Sequence, residues 1–206
     1  MDALSLVAGI MAITPSGAFS PGPLTASAVA LGGARGWRAG LQMALGHTAF
    51  ELPYVAALAY LFQQIDLASY KAPLAAAAFV FILYFAYLLV KDAWGVLKGA
   101  SSAPRASKFA NPFAAGLALT ALNPYFLLWW ATVALPIVAV LGAEPPYVFA
   151  AVYAAHVWMD YFWLGLMAYL GGAAARLLKA RGYAVFLLAL AALLIYFGVN
   201  LVAGAF

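Results

Sequence analysis

The stretch Leu4–Gly32, LSLVAGIMAITPSGAFSPGPLTASAVALG, runs without one charged side chain and carries Ser20-Pro-Gly-Pro23 in its interior. A helix that crosses a bilayer needs about 20 predominantly apolar residues, so the stretch is long enough for one span. Strand is excluded: the alternation of an outer-membrane barrel is absent, and lipid does not tolerate open sheet edges. Five more stretches of the same kind follow, Trp37–Phe62, Pro73–Leu97, Phe113–Leu141, Tyr147–Gly171 and Tyr183–Phe206. The whole chain of 206 residues is 68% hydrophobic and 8% charged, with mean hydropathy +1.00. Soluble domains carry about 45–50% apolar and about 25% charged residues, so this composition excludes an ordinary soluble domain. The opening Met1 to Ser5 has no positive segment, and the first stretch is expected to remain as a helix instead of being cleaved. The lack of cysteine excludes disulfides, thiolate metal sites and dithiol redox chemistry.

The charges orient the spans. By loop parity Arg35, Arg38, Lys91, Lys98, Arg105, Lys108, Arg176, Lys179 and Arg181 fall on one side, and only Lys71 lies opposite. The positive-inside rule makes that side cytoplasmic and puts both termini outside. The net charge of +4 is then a topology signal, not a nucleic-acid footprint. Asp2, Asp66 and Glu144 fall in the outer segments and Asp92 among the cytoplasmic lysines. Glu51 and Asp160 remain, near the centres of the second and fifth spans, and the only histidines, His47 and His156, lie in the same two spans.

The polar segment 99–110 divides the chain into a first unit, 1–98, and a second, 111–206, each with three spans. An odd number of spans per unit requires related units to be inverted, an architecture that binds substrate near the midplane. His47-Thr-Ala-Phe-Glu51 and His156-Val-Trp-Met-Asp160 occupy corresponding spans, as do the breakers Ser20-Pro-Gly-Pro23 and Asn123-Pro124. The expected fold is therefore an all-α integral membrane protein, six transmembrane helices in two inverted three-helix repeats, with helices one and four broken.

A spacing of four puts each histidine one turn from its acid on one helix face. Opposite helix directions place His47 cytoplasmic of Glu51 and His156 outward of Asp160, so two acids near the midplane are expected between two histidines. An ionised acid at a helix centre costs about 2.5–3.5 kcal/mol on insertion scales, and intramembrane acids read as functional by default. The structural alternative has each acid satisfied by its own histidine or a neighbouring hydroxyl. The prolines Pro21 and Pro23 and the glycine Gly22 disrupt the helix and leave free N–H groups at the start of the following half-helix, near Thr25 and Ser27. That end attracts a carboxylate. Gly32, Gly36, Gly40 and Gly46, with the alanine runs 75–78 and 189–192, read as close-packing faces that also suit a homodimer. The aromatics Tyr84, Tyr87, Trp94, Trp129, Trp130 and Tyr183 read as interface or core residues, and Trp158 and Trp163, flanking Asp160, also invite a binding role.

These residues resemble the lysine exporter superfamily, specifically its LysE and RhtB-type amino-acid exporters. The likeness rests on Ser20-Pro-Gly-Pro23, the basic turn Gly36-Trp-Arg-Ala-Gly40 with Gly46 following, Asn123-Pro124, and the six-span layout with a polar central loop. It covers essentially the whole chain. The resemblance implies proton-driven export of amino acids or similar small metabolites from the cytoplasm, with Pro21, Gly22, Pro23, Asn123 and Pro124 contributing to the path. One departure is Tyr125, where many members have lysine after Asn-Pro.

Two mechanisms follow. In the first, a cationic or zwitterionic amino acid seats its carboxylate at the broken first helix, beside Ser20 and Thr25, and its ammonium near Glu51 and Asp160. His47 and His156, with the two acids, would relay protons. In the second, His47, Glu51, His156 and Asp160 form a four-ligand site of a divalent-metal transporter. An intramembrane hydrolase lacks a nucleophile or a His-Glu-x-x-His motif, so the chain is not expected to be an enzyme. No cofactor is called for, and the expected location is the cell (inner) membrane. Low Asn, Gln and Cys usage hints at a heat-adapted source.

Overall fold

The structure, a computed structural model, describes residues 2–60, 71–98 and 111–203. The linker 99–110, with Arg105 and Lys108, and the outer segment holding Asp66 lie outside the described residues. Those residues form nine helices: α1 Ala3–Ala18, α2 Pro23–Arg35, α3 Trp37–Tyr60, α4 Lys71–Leu97, α5 Pro112–Ala121, α6 Pro124–Thr132, α7 Leu135–Leu141, α8 Pro146–Leu177 and α9 Ala180–Ala203.

Both expected breaks occur. The axes of α1 and α2 meet at 67°, and those of α5 and α6 at 59°. In each case a proline takes the first position of the second half-helix, where its missing N–H costs nothing: Pro23 behind the extended Gly22, Pro124 behind the extended Asn123. Pro15 behaves differently and is accommodated inside α1, which runs on to Ala18. The fourth apolar stretch breaks a second time, at Val133–Ala134, giving α7.

Among the described residues α4 and α9 each cross the length and apolarity threshold of a span alone, and the bent pairs α1–α2 and α5–α6 cross it together. The long helices α3 and α8, of 24 and 32 residues, carry the His-x-x-x-acid pairs. Large apolar side chains exposed along α4 and α9, such as Val80, Tyr84, Val185 and Val199, form the surface that suits lipid.

Two apolar cores flank the polar residues. One joins Leu31, Met43, Ile82, Leu119, Leu164 and Leu187. The other joins Leu6, Ile10, Val55, Phe126, Val138 and Val152. α3 and α8 contribute to both, so His47–Glu51 and His156–Asp160 fall where the two cores meet. Asp92, read from the sequence as lying among the cytoplasmic lysines, is buried in α4 to 6% exposure.

The glycines read as packing faces do pack closely, but within the chain. A Cβ on Gly46 would fall on the carbonyl oxygen of Phe113 in α5, and one on Gly116 of α5 on that of Met43 in α3. Gly32 of α2 and Gly171 of α8 are related in the same way through Ala168 and Val29, and Gly40 lies against Leu164. These surfaces are used inside the chain, so a second copy would have to dock elsewhere. Gly36 serves another purpose. Its φ of 71° and ψ of −172° turn the chain from α2 into α3 in a region essentially closed to other residues, and nothing lies within 4 Å of the place a Cβ would take. Gly36→Ala should therefore destabilise by about 1–3 kcal/mol through backbone strain alone, read as a lower melting temperature with unchanged oligomeric state.

Candidate functional site

The site begins with the register of α3 against α8. Gly40 meets Leu164 while Glu51 accepts a hydrogen bond from Tyr153, so the two helices run antiparallel. His47 consequently sits beside Asp160, and Glu51 beside His156. The four groups close a ring. Nε2 of His47 lies 3.1 Å from Oε1 of Glu51 and 3.8 Å from Oδ2 of Asp160; Nε2 of His156 lies 3.2 Å from the same Glu51 oxygen and 3.3 Å from the same Asp160 oxygen. The sequence reading had both acids between the two histidines. The antiparallel register instead pairs one histidine and one acid from opposite helices at each of two successive levels. All four residues are buried.

Each histidine is held from behind by a threonine of a bent helix pair. Thr120 Oγ1 of α5 lies 2.8 Å from Nδ1 of His47, and Thr14 Oγ1 of α1 lies 2.9 Å from Nδ1 of His156. Thr120 donates its only proton to the carbonyl of Gly116, and Thr14 donates its own to that of Ile10, each at 2.7 Å. Neither hydroxyl has a proton left for a histidine, so both must accept from Nδ1–H. Donor accounting thus assigns the tautomer: any further proton or cation on either ring goes to Nε2, which faces the acids.

Glu51 is served on both oxygens, Oε1 by the indole N–H of Trp130 at 3.1 Å and Oε2 by the hydroxyl of Tyr153 at 3.0 Å. Asp160 is not: its Oδ2, like Nε2 of His47, is buried without a partner in hydrogen-bond geometry. A bare Nε2 lone pair facing a carboxylate is repulsive, so the ring needs positive charge. A proton on each Nε2 gives two imidazolium ions against two carboxylates and a neutral ring, which avoids the burial cost of uncompensated charge.

A cavity of about 70 Å³ opens from this ring to both helix breaks. Ser20, Gly22 and Thr25 line it from the first break and Asn123 from the second, together with His47, Glu51, His156 and Asp160. Pro21, Pro23 and Pro124 are not among its lining residues, and they shape the backbone instead. The two breaks differ in one respect. Asn123 caps α6, its side-chain oxygen accepting from the N–H of Tyr125 at 3.1 Å, whereas no side chain caps α2. Leu24 and Thr25, in the first turn of α2, both face the cavity. The Thr25 hydroxyl is already engaged, donating to the carbonyl of Ser20 and accepting from Trp163. Tyr125 ties the breaks together, its hydroxyl 3.0 Å from the carbonyl of Ser16 and 3.1 Å from Oγ of Ser20.

The LysE type translocator family matches residues 15–204, nearly the full chain and every element of this site except Thr14. The chain belongs to that family. No curated protein and no solved structure matches it. LysE type translocators are membrane transporters, which agrees with the resemblance read from Ser20-Pro-Gly-Pro23 and Asn123-Pro124.

In this LysE type translocator the sequence reading missed Thr14, Thr120, Trp130 and Tyr153. One signal was available, since Thr120 is the only polar side chain in α5. Trp129 and Trp130 are not lipid-facing: both are buried and line the cavity. Of the two tryptophans flanking Asp160, Trp163 reaches the first break through Thr25, and Trp158 is 49% exposed.

Proposed function

We propose that this translocator exports cationic or zwitterionic amino acids, or related small metabolites, from the cytoplasm across the cell (inner) membrane in exchange for protons. The observation that carries the reading is one cavity with two chemically opposite ends. The uncapped start of α2 offers backbone N–H groups and the positive end of a helix dipole, which suit a carboxylate. Glu51 and Asp160 at the other end suit an ammonium. An α-amino acid carries both groups on one carbon and spans the two ends. Ser20, Gly22, Thr25 and Asn123 would surround it, with Pro21, Pro23 and Pro124 holding the breaks open.

Coupling would follow from competition for the acids. An ammonium arriving at Glu51 and Asp160 takes over the charge that one imidazolium supplies, so one of His47 and His156 releases its proton from Nε2. Reprotonation discharges the ammonium on the other side. Six spans in two inverted repeats, with both termini outside and residues 99–110 cytoplasmic, give the two units that would rock about this site. The exchange of threonines between units, Thr14 to His156 and Thr120 to His47, supports that relation.

The test asks for both ends at once. A transported amino acid at about 100 times its Kd should stabilise the purified protein by about 2.7 kcal/mol. Its decarboxylated amine and its N-acetyl derivative should each leave the melting temperature unchanged. Equal stabilisation by the amine would remove the carboxylate end from the proposal.

A further inference from the structure

We infer that the ring of His47, Glu51, His156 and Asp160 is also a binding site for one divalent cation of the zinc class, which enters in exchange for two protons. The inference rests on reading the ring as the proton-loaded centre of the exporter, and adds an occupant with its own chemistry. Three observations carry it.

The first is the donor set. Nε2 of His47 and one oxygen each of Glu51 and Asp160 all lie within 4.8 Å of one another, Nε2 of His156 lies 3.2 and 3.3 Å from those two acids, and the threonines already hold both Nδ1–H groups. A metal-bound histidine has its far N–H donated to a fixed acceptor in the same way. The second is size. Zinc bonds of about 2.0–2.1 Å put neighbouring ligand atoms about 3 Å apart, and the four histidine–acid separations around the ring are 3.1, 3.2, 3.3 and 3.8 Å. The third is the pair of buried atoms without hydrogen-bond partners, His47 Nε2 and Asp160 Oδ2, which flank the longest side.

Charge balance makes the exchange feasible in a low-dielectric interior. The protonated ring holds two imidazolium ions and two carboxylates, and the loaded ring holds one divalent cation, two neutral imidazoles and two carboxylates. Both are neutral. Binding forms two metal–nitrogen and two metal–oxygen bonds and releases one proton from each Nε2, with no redox change. The other titratable groups nearby are phenols, namely Tyr54 of α3, Tyr125 of α6, and Tyr153 and Tyr161 of α8. The helices α1, α2, α5 and α7 direct no ionisable side chain at the ring: α1, α5 and α7 have none, and α2 has only Arg35 at its far end.

The experiment is calorimetric titration of Zn²⁺ into purified, chelator-treated protein, repeated in buffers of different ionisation enthalpy and at several pH values. The expected result is one Zn²⁺ per chain, close to two protons released per ion, and apparent affinity that rises about 100-fold per pH unit while the ring is protonated. Mg²⁺ should not compete, because it prefers oxygen ligands and retains its waters. His47→Ala should abolish binding. Thr120→Val, which keeps all four ligands and removes only the support behind His47, should weaken it by about 10–100-fold. Weak binding that persists in both variants, or proton release near zero, identifies an adventitious ion only and overturns the inference. Proton-driven amino-acid export by the same metal-free protein is measured separately, so the metal site can fail while the export reading stands, and the reverse.

Discussion

Glu51→Gln protein, reconstituted in liposomes, should show no concentrative amino-acid export, a loss of at least about 100-fold relative to the wild type. Oε1 of Glu51 is where three groups meet, the Nε2 atoms of His47 and His156 and the indole of Trp130. An amide keeps the volume but cannot be negative, so one of the two imidazolium ions loses its counter-charge in a dry interior. That change alone is worth about 3–5 kcal/mol for a buried pair broken on one side, enough for about two to almost four orders of magnitude in a proton-dependent step. The neutral ring then holds one proton fewer, and the ammonium site keeps only Asp160. Retained folding can be checked by gel filtration, because the amide can still accept from Trp130 or Tyr153. Concentrative export at wild-type rates would show that the ring is structural.

A second large effect should come from a single methyl group. Gly46→Ala places Cβ on the carbonyl of Phe113, and Gly116→Ala places it on that of Met43. The obstacle is backbone, so no rotamer change relieves it and α3 and α5 must separate. Overpacking costs typically about 1–3 kcal/mol, and a backbone obstacle belongs at the upper end or beyond. The damage should reach the site: His47 follows Gly46 directly, and Thr120 lies one turn beyond Gly116, so separating the helices lengthens the Thr120–His47 bond. Gly165→Ala is the control, since its Cβ would meet only the flexible end of Leu41, at 3.3 Å. Thermal unfolding in detergent should rank Gly46→Ala and Gly116→Ala far below Gly165→Ala. Equal melting temperatures would contradict the close helix crossing.

The sequence exposed what depends on composition and local chemistry. Apolar length marked the helices, Ser20-Pro-Gly-Pro23 and Asn123-Pro124 marked the breaks, and two acids in so apolar a chain marked the candidate site. It concealed what depends on register between helices. Spacing within a helix shows that His47 and Glu51 share a face, but not that Asp160 lies level with His47. The threonines were concealed for a related reason. Thr14, Thr48, Thr120 and Thr132 all donate to the carbonyl four residues earlier, a local bond open to any helical threonine. Only the tertiary fold selects Thr14 and Thr120 to meet a histidine. Trp130 was concealed because an aromatic in a membrane helix serves lipid, core or site equally well, and its indole finds Glu51 only once α6 has turned away from α5.

The central claim is that protons on this ring are exchanged for substrate. Its most direct test is to follow internal pH in proteoliposomes of the wild-type protein while a bound amino acid is released down its own gradient, with no imposed pH difference. The account predicts proton movement opposite to the substrate, abolished in Glu51→Gln. Substrate movement with no accompanying proton flux would contradict it.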